Sequence, residues 1–290
     1  MKGQEAFHSY YHELFGNRWP ALVEAMQGDP SYLSLSAGLL QPYYIDVASV
    51  VAASLLPLPS GGAVLDMCAA PGGKTLVLAR RLALTGSGAA LTANERSSAR
   101  RARLHRVLDD HLPPPAREKV RITGHDATKW GLYEREAYEA ILCDVPCSSE
   151  RHLVQAPEHL GRWSPNRIRS LSSQAVAFLA AAADAIKPGG YVLYSTCALT
   201  KQENDAVVAR VLRRRSAMSS VPPAEIPTPE IPELSPAATH PDSSEDTPET
   251  GPRAQLPVGT ATTYGRHILP DTDAGAGPLY YALLRKGLHS

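Results

Sequence analysis

Between residues 63 and 215, five short apolar runs alternate with helix-like stretches, and this alternation limits the fold more than any other feature of the chain. The runs are AVLDM (63–67), AALTA (89–93), VRIT (120–123), AILCD (140–144) and YVLYS (191–195). Helical patterns separate them at 75–84, 97–108 and 167–186, and another follows at 202–214. Strands this short, each followed by a helix, pair in parallel as a doubly wound α/β sheet. Open sheets of this kind bind ligands outside the carboxyl ends of their strands.

The flanking segments read differently. Residues 1–60 are expected to form a helical N-terminal region: Tyr10, Leu14 and Phe15, then Leu22 and Met26, recur at helical spacing, and 44–56 is rich in Ala and Val before Pro57. Residues 61–215 and 259–290 form the core, with PLYYALLRK (278–286) as a last antiparallel strand at or near the sheet edge. Residues 216–258 are dense in proline and acidic groups and poor in large apolar ones, so a disordered insertion is expected there.

The chain is formally neutral, but its charge is unevenly placed. Seven acidic residues and no Lys or Arg fall between 216 and 252, and without that segment 29 basic side chains stand against 22 acidic ones. A moderately basic core suits an RNA partner. The four cysteines show neither a disulfide framework nor metal-ligand spacing, so a reducing compartment and no metal are expected. The N-terminus has neither a secretory nor a transit pattern, and no run of about 18 apolar residues exists. A cytoplasmic location and no membrane contact are the resulting expectations.

Every strand tip carries polar or reactive groups. After the first strand comes Cys68-Ala69-Ala70-Pro71-Gly72-Gly73-Lys74, a turn of small residues that lets a ligand approach the backbone before a helix N-terminus. It is not a Walker sequence, and taken alone a tight ligand-free turn would explain it. Glu95 ends the second strand, at a distance suited to accepting bonds from ribose hydroxyls. Asp126 follows the third strand and could accept from an adenine amino group. Either acid alone reads as well as a solvated strand end. Asp144 and Cys147 follow the fourth strand, and Cys197 follows the fifth. Neighbouring strands lie ~4.8 Å apart, so two thiols on adjacent tips face one pocket. Cys143, inside its strand, reads as a small core hydrophobe.

Two converging thiols suit one kind of chemistry. Carbon 5 of cytosine is a poor nucleophile until a thiolate adds to carbon 6 and breaks the aromaticity, a case of covalent catalysis. An ordinary thiol has a pKa of ~8.5, so the attacking one needs an activating environment or a proton acceptor.

Four strings, MCAAPGGKT (67–75), DVPCSSER (144–151), KPGGYVLYSTCALTKQEND (187–205) and PLYYALLRK, together resemble the Nop/Sun family of RNA cytosine-5 methyltransferases, over most of 35–215 and the C-terminal strand. The branch with mitochondrial members and bacterial relatives is the most similar. The resemblance implies a mostly parallel, seven-stranded Rossmann-like methyltransferase sheet with a short helical N-terminal extension. It implies S-adenosylmethionine held by 68–74, with Glu95 at the ribose, Asp126 beside the adenine, and Asp144 lining both cofactor and target base. It further implies Cys197 as nucleophile and Cys147 as the thiol that assists product release. DNA cytosine-5 methyltransferases use the Pro-Cys cysteine as nucleophile, which would exchange these two roles. Ribosomal RNA is the expected substrate, ahead of transfer RNA.

No appended RNA-binding domain is evident, so the grip on RNA falls to the core, the N-terminal helices or a protein partner. Arg100 lies in a basic run over 96–121 that reads equally as a solvated helix face. Arg151, His152 and Trp163, just beyond Cys147, are expected to contact or stack on RNA. A non-catalytic RNA-binding assembly factor that keeps the fold, and a methyltransferase of another chemistry, are the competing readings.

Overall fold

The computed structural model describes residues 2–228 and 256–288. Two helices open the chain, α1 (Gln4–Phe15) and α2 (Trp19–Gln27). A β-hairpin follows, β1 (Tyr32–Leu35) paired antiparallel with β2 (Tyr43–Asp46), and leads directly into α3 (Val47–Leu55). The expectation of an all-helical first 60 residues is therefore corrected. Leu33, Leu35 and Ile45 are buried at the alternate positions of a two-stranded ribbon. The helix starts only where the Asp46 carboxylate caps the Ser49 N–H at 3.0 Å.

The core then alternates as the sequence predicts: β3 (Ala63–Asp66), α4 (Gly73–Leu84), β4 (Ala90–Asn94), α5 (Ser98–His111), the single turn α6 (Pro114–Arg117), β5 (Val120–Thr123), the short α7 (Trp130–Tyr133), β6 (Tyr138–Asp144), α8 (Glu150–Gln155), α9 (Pro165–Ala185), β7 (Ile186–Thr196) and α10 (Asp205–Leu212). The last part holds β8 (Met218–Ser220), β9 (Thr260–Ala261), β10 (Arg266–Ile268) and β11 (Leu279–Lys286). The sheet runs β5-β4-β3-β6-β7-β11-β10-β9, and β8 also pairs with β11. Strands β5 to β7 are parallel and β11 is antiparallel to β7. The expected seven-stranded, mostly parallel core is present, extended by the short β8 and β9.

Burial alternates along the central strands. Ala140 and Leu142 of β6, Leu193 of β7 and Leu283 of β11 pack on one face against α3, α4 and α5. Ile141 and Cys143, Val192 and Tyr194, and Ala282 pack on the other against α7, α9 and α10. A third cluster joins α1 and α2 to Leu153, Leu160, Trp163 and Leu199, so the N-terminal helices rest on the segment that follows Cys147.

Three expectations shift. β11 is not at the edge, since β7 flanks it on one side and β10 and β8 on the other. The fifth strand, expected over 191–195, is longer: β7 begins at Ile186, and the register against β6 slips between Tyr138 and Ala140 to accommodate residues 187–190. Gly189 sits at φ +82°, and a Cβ on Gly190 would meet the Glu139 carbonyl at 2.7 Å, so this bulge requires both glycines. Finally, the 216–258 segment is ordered at its borders, where Met218–Ser220 joins the sheet and Ile226 and Leu256 enter the core. The disorder expected for 229–255 lies outside the described residues. No helix among the described residues is long and apolar enough to cross a membrane.

Candidate active site

The turn after β3 is built to stay open. Asp66 is buried and accepts from Thr75 Oγ1 at 2.7 Å, which ties the strand tip to the first turn of α4. Burial pushes its carboxyl up to about 7. Gly72 has φ +124°, and a Cβ on Gly73 would meet Ile45 Cδ1 at 2.9 Å. The glycines thus allow both the turn and the close seat of the β1–β2 hairpin on it. Asn94 acts as a hub. Its amide donates to the Met67 and His125 carbonyls at 3.0 and 3.1 Å, and its Oδ1 accepts from the His125 N–H and Thr123 Oγ1. Three strand tips are fixed by this one buried side chain, which the sequence marked only as a strand end.

Two cavities flank the turn. One, of about 390 Å³, is lined by Met67, Cys68, Glu95, Asp126, Pro146 and Phe178 among others. In its wall Glu95 is buried, accepts the Ser97 N–H at 2.8 Å and pairs with Arg100 at 3.3 Å. Asp126 accepts from the Thr128 hydroxyl and N–H, and these bonds, the hydroxyl's first, hold its pKa below the ordinary carboxylate value. The other cavity, about 330 Å³, is bounded by Tyr32, Tyr43 and Tyr44 of the hairpin and by Ala69, Ala70, Pro71, Gly73, Lys74 and Asp144. Cys68 borders both cavities, and burial pushes its thiol pKa well up, so it remains a neutral wall group.

Lys74 and Asp144 form the charged floor. Lys74 Nζ lies 2.9 Å from Asp144 Oδ2 and 3.1 Å from Ser49 Oγ, while Ser195 Oγ donates to Asp144 Oδ1 at 2.7 Å. Burial opposes the lysine charge, but Asp144 outweighs it and raises the lysine pKa. Beyond this floor the two loops converge. Cys147 Sγ lies 2.7 Å from Cys197 Sγ and accepts the Cys197 N–H at 3.2 Å. Ser149 Oγ is 3.3 Å from Cys197 Sγ. The hydrogen bond to Cys197, followed by burial, pushes the Cys147 thiol pKa well above its ordinary value. Either sulfur can donate in this contact, and the raised pKa of Cys147 favours its neutral form. Neither is in a disulfide, and no cluster of metal-ligating groups occurs among the described residues.

The residues expected at the RNA fall into three situations. Trp163 is corrected: it is 2% exposed, with Phe7, Tyr10 and Tyr11 packed around its ring at 5.3, 5.4 and 6.0 Å, so its ring is held in the core and only borders the cavity beside His152. Arg151 is corrected as well, because its guanidinium donates to the carbonyls of Gly28, Gly275 and Gly277 and ties α2 to the loop before β11. Arg100 reaches back to the Ala70 carbonyl at 2.7 Å and to Glu95, across the mouth of the larger cavity. Only His152 remains exposed without a structural bond. It stacks on His159 at 5.5 Å beside a cavity of about 370 Å³ that Arg167 also lines. Sequence reasoning missed the three hairpin tyrosines, whose only local signal is the short alternation around Ile45.

Among known proteins, the profile of the 16S rRNA methyltransferase RsmB/F family matches residues 53–285. The bovine 5-cytosine rRNA methyltransferase NSUN4 is 42% identical over 177 residues, which are 60% of this chain and 45% of the relative. The mouse mitochondrial tRNA (cytosine(34)-C(5))-methyltransferase is 29% identical over 89% of this chain and 68% of its own length. The chain spans about half the length of the NSUN4 relatives it matches. A methyltransferase homolog from Pyrococcus horikoshii superposes with a TM-score of 0.65 at 20% identity, covering 98% of this chain and 95% of that one. NSun6 from the same organism, solved with SFG, gives 0.61 at 22% identity over 84% and 53%. These structures share the fold, and the profile match over most of the chain establishes that it belongs to the 16S rRNA methyltransferase RsmB/F family.

Proposed function

We propose that the protein transfers a methyl group from S-adenosylmethionine to carbon 5 of a cytosine in RNA through a covalent Cys197 adduct. The observation that carries this reading is the meeting of two sulfurs, 2.7 Å apart, beside the charged floor of Lys74 and Asp144. The pocket suits the methyl donor chemically. Glu95 offers carboxylate oxygens to ribose hydroxyls, Asp126 offers one to an amino group, and Met67, Pro146 and Phe178 give apolar walls for a purine. The N–H groups at the start of α4, beside Ala69, Ala70, Pro71, Gly72 and Gly73, would hold the amino-acid end. When bound, S-adenosylmethionine supplies an electrophilic methyl group on a positively charged sulfur.

The residues of this chain do the rest. Cys197 gives up its thiol proton as its Sγ bonds to carbon 6 of cytosine, the carbon 5–carbon 6 π electrons shift through the ring, ring nitrogen 3 takes up a proton, and carbon 5 becomes a nucleophilic enamine carbon. Asp144, fixed by Ser195 and Lys74, orients the base. After methylation the carbon 5 proton passes to a base, the ring electrons re-form the double bond, and the carbon–sulfur bond breaks. The bond's electron pair leaves on Cys197 Sγ, and a hydrogen bond from the Cys147 S–H, 2.7 Å away between sulfurs, would stabilise that thiolate. Ribosomal RNA is the favoured substrate, supported by the higher identity to a relative named for rRNA than to one named for tRNA. Incubation with methyl-labelled S-adenosylmethionine and either RNA tests the reading. The wild type should label rRNA at cytosine carbon 5 and Cys197→Ala should not; equal labelling by both would remove the assigned mechanism.

A further inference from the structure

The β6–β7 ladder ends where the Val145 N–H meets the Ser195 carbonyl at 3.0 Å. Beyond that point the two cysteine loops are joined by other means, and a pair of buried carboxyl groups dominates them. Glu150 and Glu203 are 0% and 1% exposed. Ser148 Oγ lies within hydrogen-bonding distance of both, 2.7 Å from Glu203 Oε2 and close to Glu150 Oε1. Glu203 Oε1 also accepts the Ser148 N–H at 2.9 Å, and Glu150 Oε2 accepts the Leu199 N–H at 3.3 Å. Each carboxyl therefore holds a backbone group of the other loop: Glu203, from beyond Cys197, holds the residue after Cys147, and Glu150 holds the second residue after Cys197.

Proton counting decides the state of this pair. A serine hydroxyl carries one hydrogen and can donate to one carboxyl group only. Its second contact needs a hydrogen from the carboxyl itself. The Tyr11 hydroxyl donates to Glu150 and the Thr200 hydroxyl to Glu203 Oε2, so each of these hydrogens is already committed to one carboxyl and neither supplies the one that Ser148 lacks. Among the described residues, no lysine, arginine or histidine bonds to either group. Two bare carboxylates bridged by one hydroxyl in a buried site would repel without compensation.

We propose that Glu150 and Glu203 hold one proton between them through Ser148, and that this protonated pair clamps the loops so that Cys147 and Cys197 meet. Both glutamates are positioning residues, acting through the thiols; the catalytic consequence rests on the function proposed above. Burial, and then the charge of Glu150, push Glu203 up to about 7. The other titratable groups facing the pair are Tyr10 and Tyr11 of α1, Tyr194 of β7 and Cys147, with Arg169 of α9 reaching toward Tyr10. Above neutral pH the shared proton leaves, the two charges repel, and the loops part.

Glu203→Gln tests this, because its amide N–H can donate to Ser148 Oγ as the neutral acid does, and its carbonyl still accepts the Ser148 N–H, but it cannot ionise. Two readouts are compared with wild type between pH 5 and pH 8.5. In thermal denaturation without RNA, the wild-type melting temperature should fall relative to Glu203→Gln as pH rises from 5 to about 7 and level off above it, and Glu150→Gln should remove the same fall. In infrared difference spectra of wild type minus each variant at pH 6, a protonated-carboxyl carbonyl band should remain, the contribution of Asp66 being common to both and cancelling. In adduct formation with RNA containing 5-fluorocytosine, a group titrating at about 7 is nine-tenths ionised at pH 8. Glu203→Gln should therefore exceed wild type about tenfold there. Parallel melting profiles, no carboxyl band, or a Glu203→Gln protein that does not fold would overturn the shared proton. Absence of adduct in wild type at every pH would overturn the reaction instead, while the melting curves and spectra still decide the proton.

Discussion

Cys147 Sγ sits 2.7 Å from Cys197 Sγ, although 50 residues and a 21-residue helix separate them in the chain. Parallel pairing of β6 with β7 produces this meeting, because Asp144 stands opposite Ser195 and each cysteine follows within three residues. In the proposed reaction the two thiols have different tasks, and their removal should have different outcomes. Cys197→Ala should lower methyl transfer by on the order of 10³-fold or more. Cys147→Ala should instead accumulate a protein–RNA species that survives denaturation, visible as a retarded band on a denaturing gel.

The Lys74–Asp144 pair should support both stability and the methyl-donor site. Both side chains are mostly buried, at 19% and 24% exposure. Lys74→Met leaves Asp144 with Ser195 alone. A fully buried broken pair costs about 3–5 kcal/mol, and this partly exposed one should cost about 2 kcal/mol. Urea denaturation measures that loss. Calorimetry with S-adenosylmethionine should show affinity falling by about tenfold or more.

Trp163→Ala separates a core role from a role at the RNA. Its ring is enclosed by α1 and α8 side chains, so truncation should cost about 3–5 kcal/mol of stability. Filter binding with the folded variant should show RNA affinity changed far less than stability. A loss of RNA affinity with an unchanged melting temperature would return Trp163 to the surface role that its position in the sequence suggests.

Asp66 should make stability depend on pH. Its folded-state pKa of about 7 lies above its ordinary value of 3.8. The native state therefore retains a proton that the unfolded chain releases, and stability falls as pH rises from about 4 to about 7. Asp66→Asn keeps an acceptor for Thr75 Oγ1 and removes the titration. The variant should equal or exceed the wild type above pH 7 by on the order of a few kcal/mol, measured by chemical denaturation at pH 5 and pH 8.

Much of this architecture is written locally. Strands β3 to β7 and α9 announce themselves by length, apolar content and flanking turns, and the reactive residues follow as strand tips. The β1–β2 hairpin does not, because four-residue strands carry few alternating positions and the adjoining Val47–Leu55 run is helical. The Asp46 cap on Ser49 was the available signal for where that helix begins. Arg151 and Trp163 were misread because charge and aromaticity near a reactive cysteine suggest RNA contact. Their burial depends on α1, α2 and the loop before β11, which come from distant parts of the chain. Glu150 and Glu203 were invisible for the same reason: a glutamate beside a motif reads as solvated until another element covers it.

The most direct test is to incubate wild-type protein with S-adenosylmethionine and RNA containing 5-fluorocytosine, digest the trapped complex, and identify the modified peptide by mass spectrometry. The nucleotide is predicted on Cys197. A nucleotide on Cys147 would contradict the assignment of the two thiols.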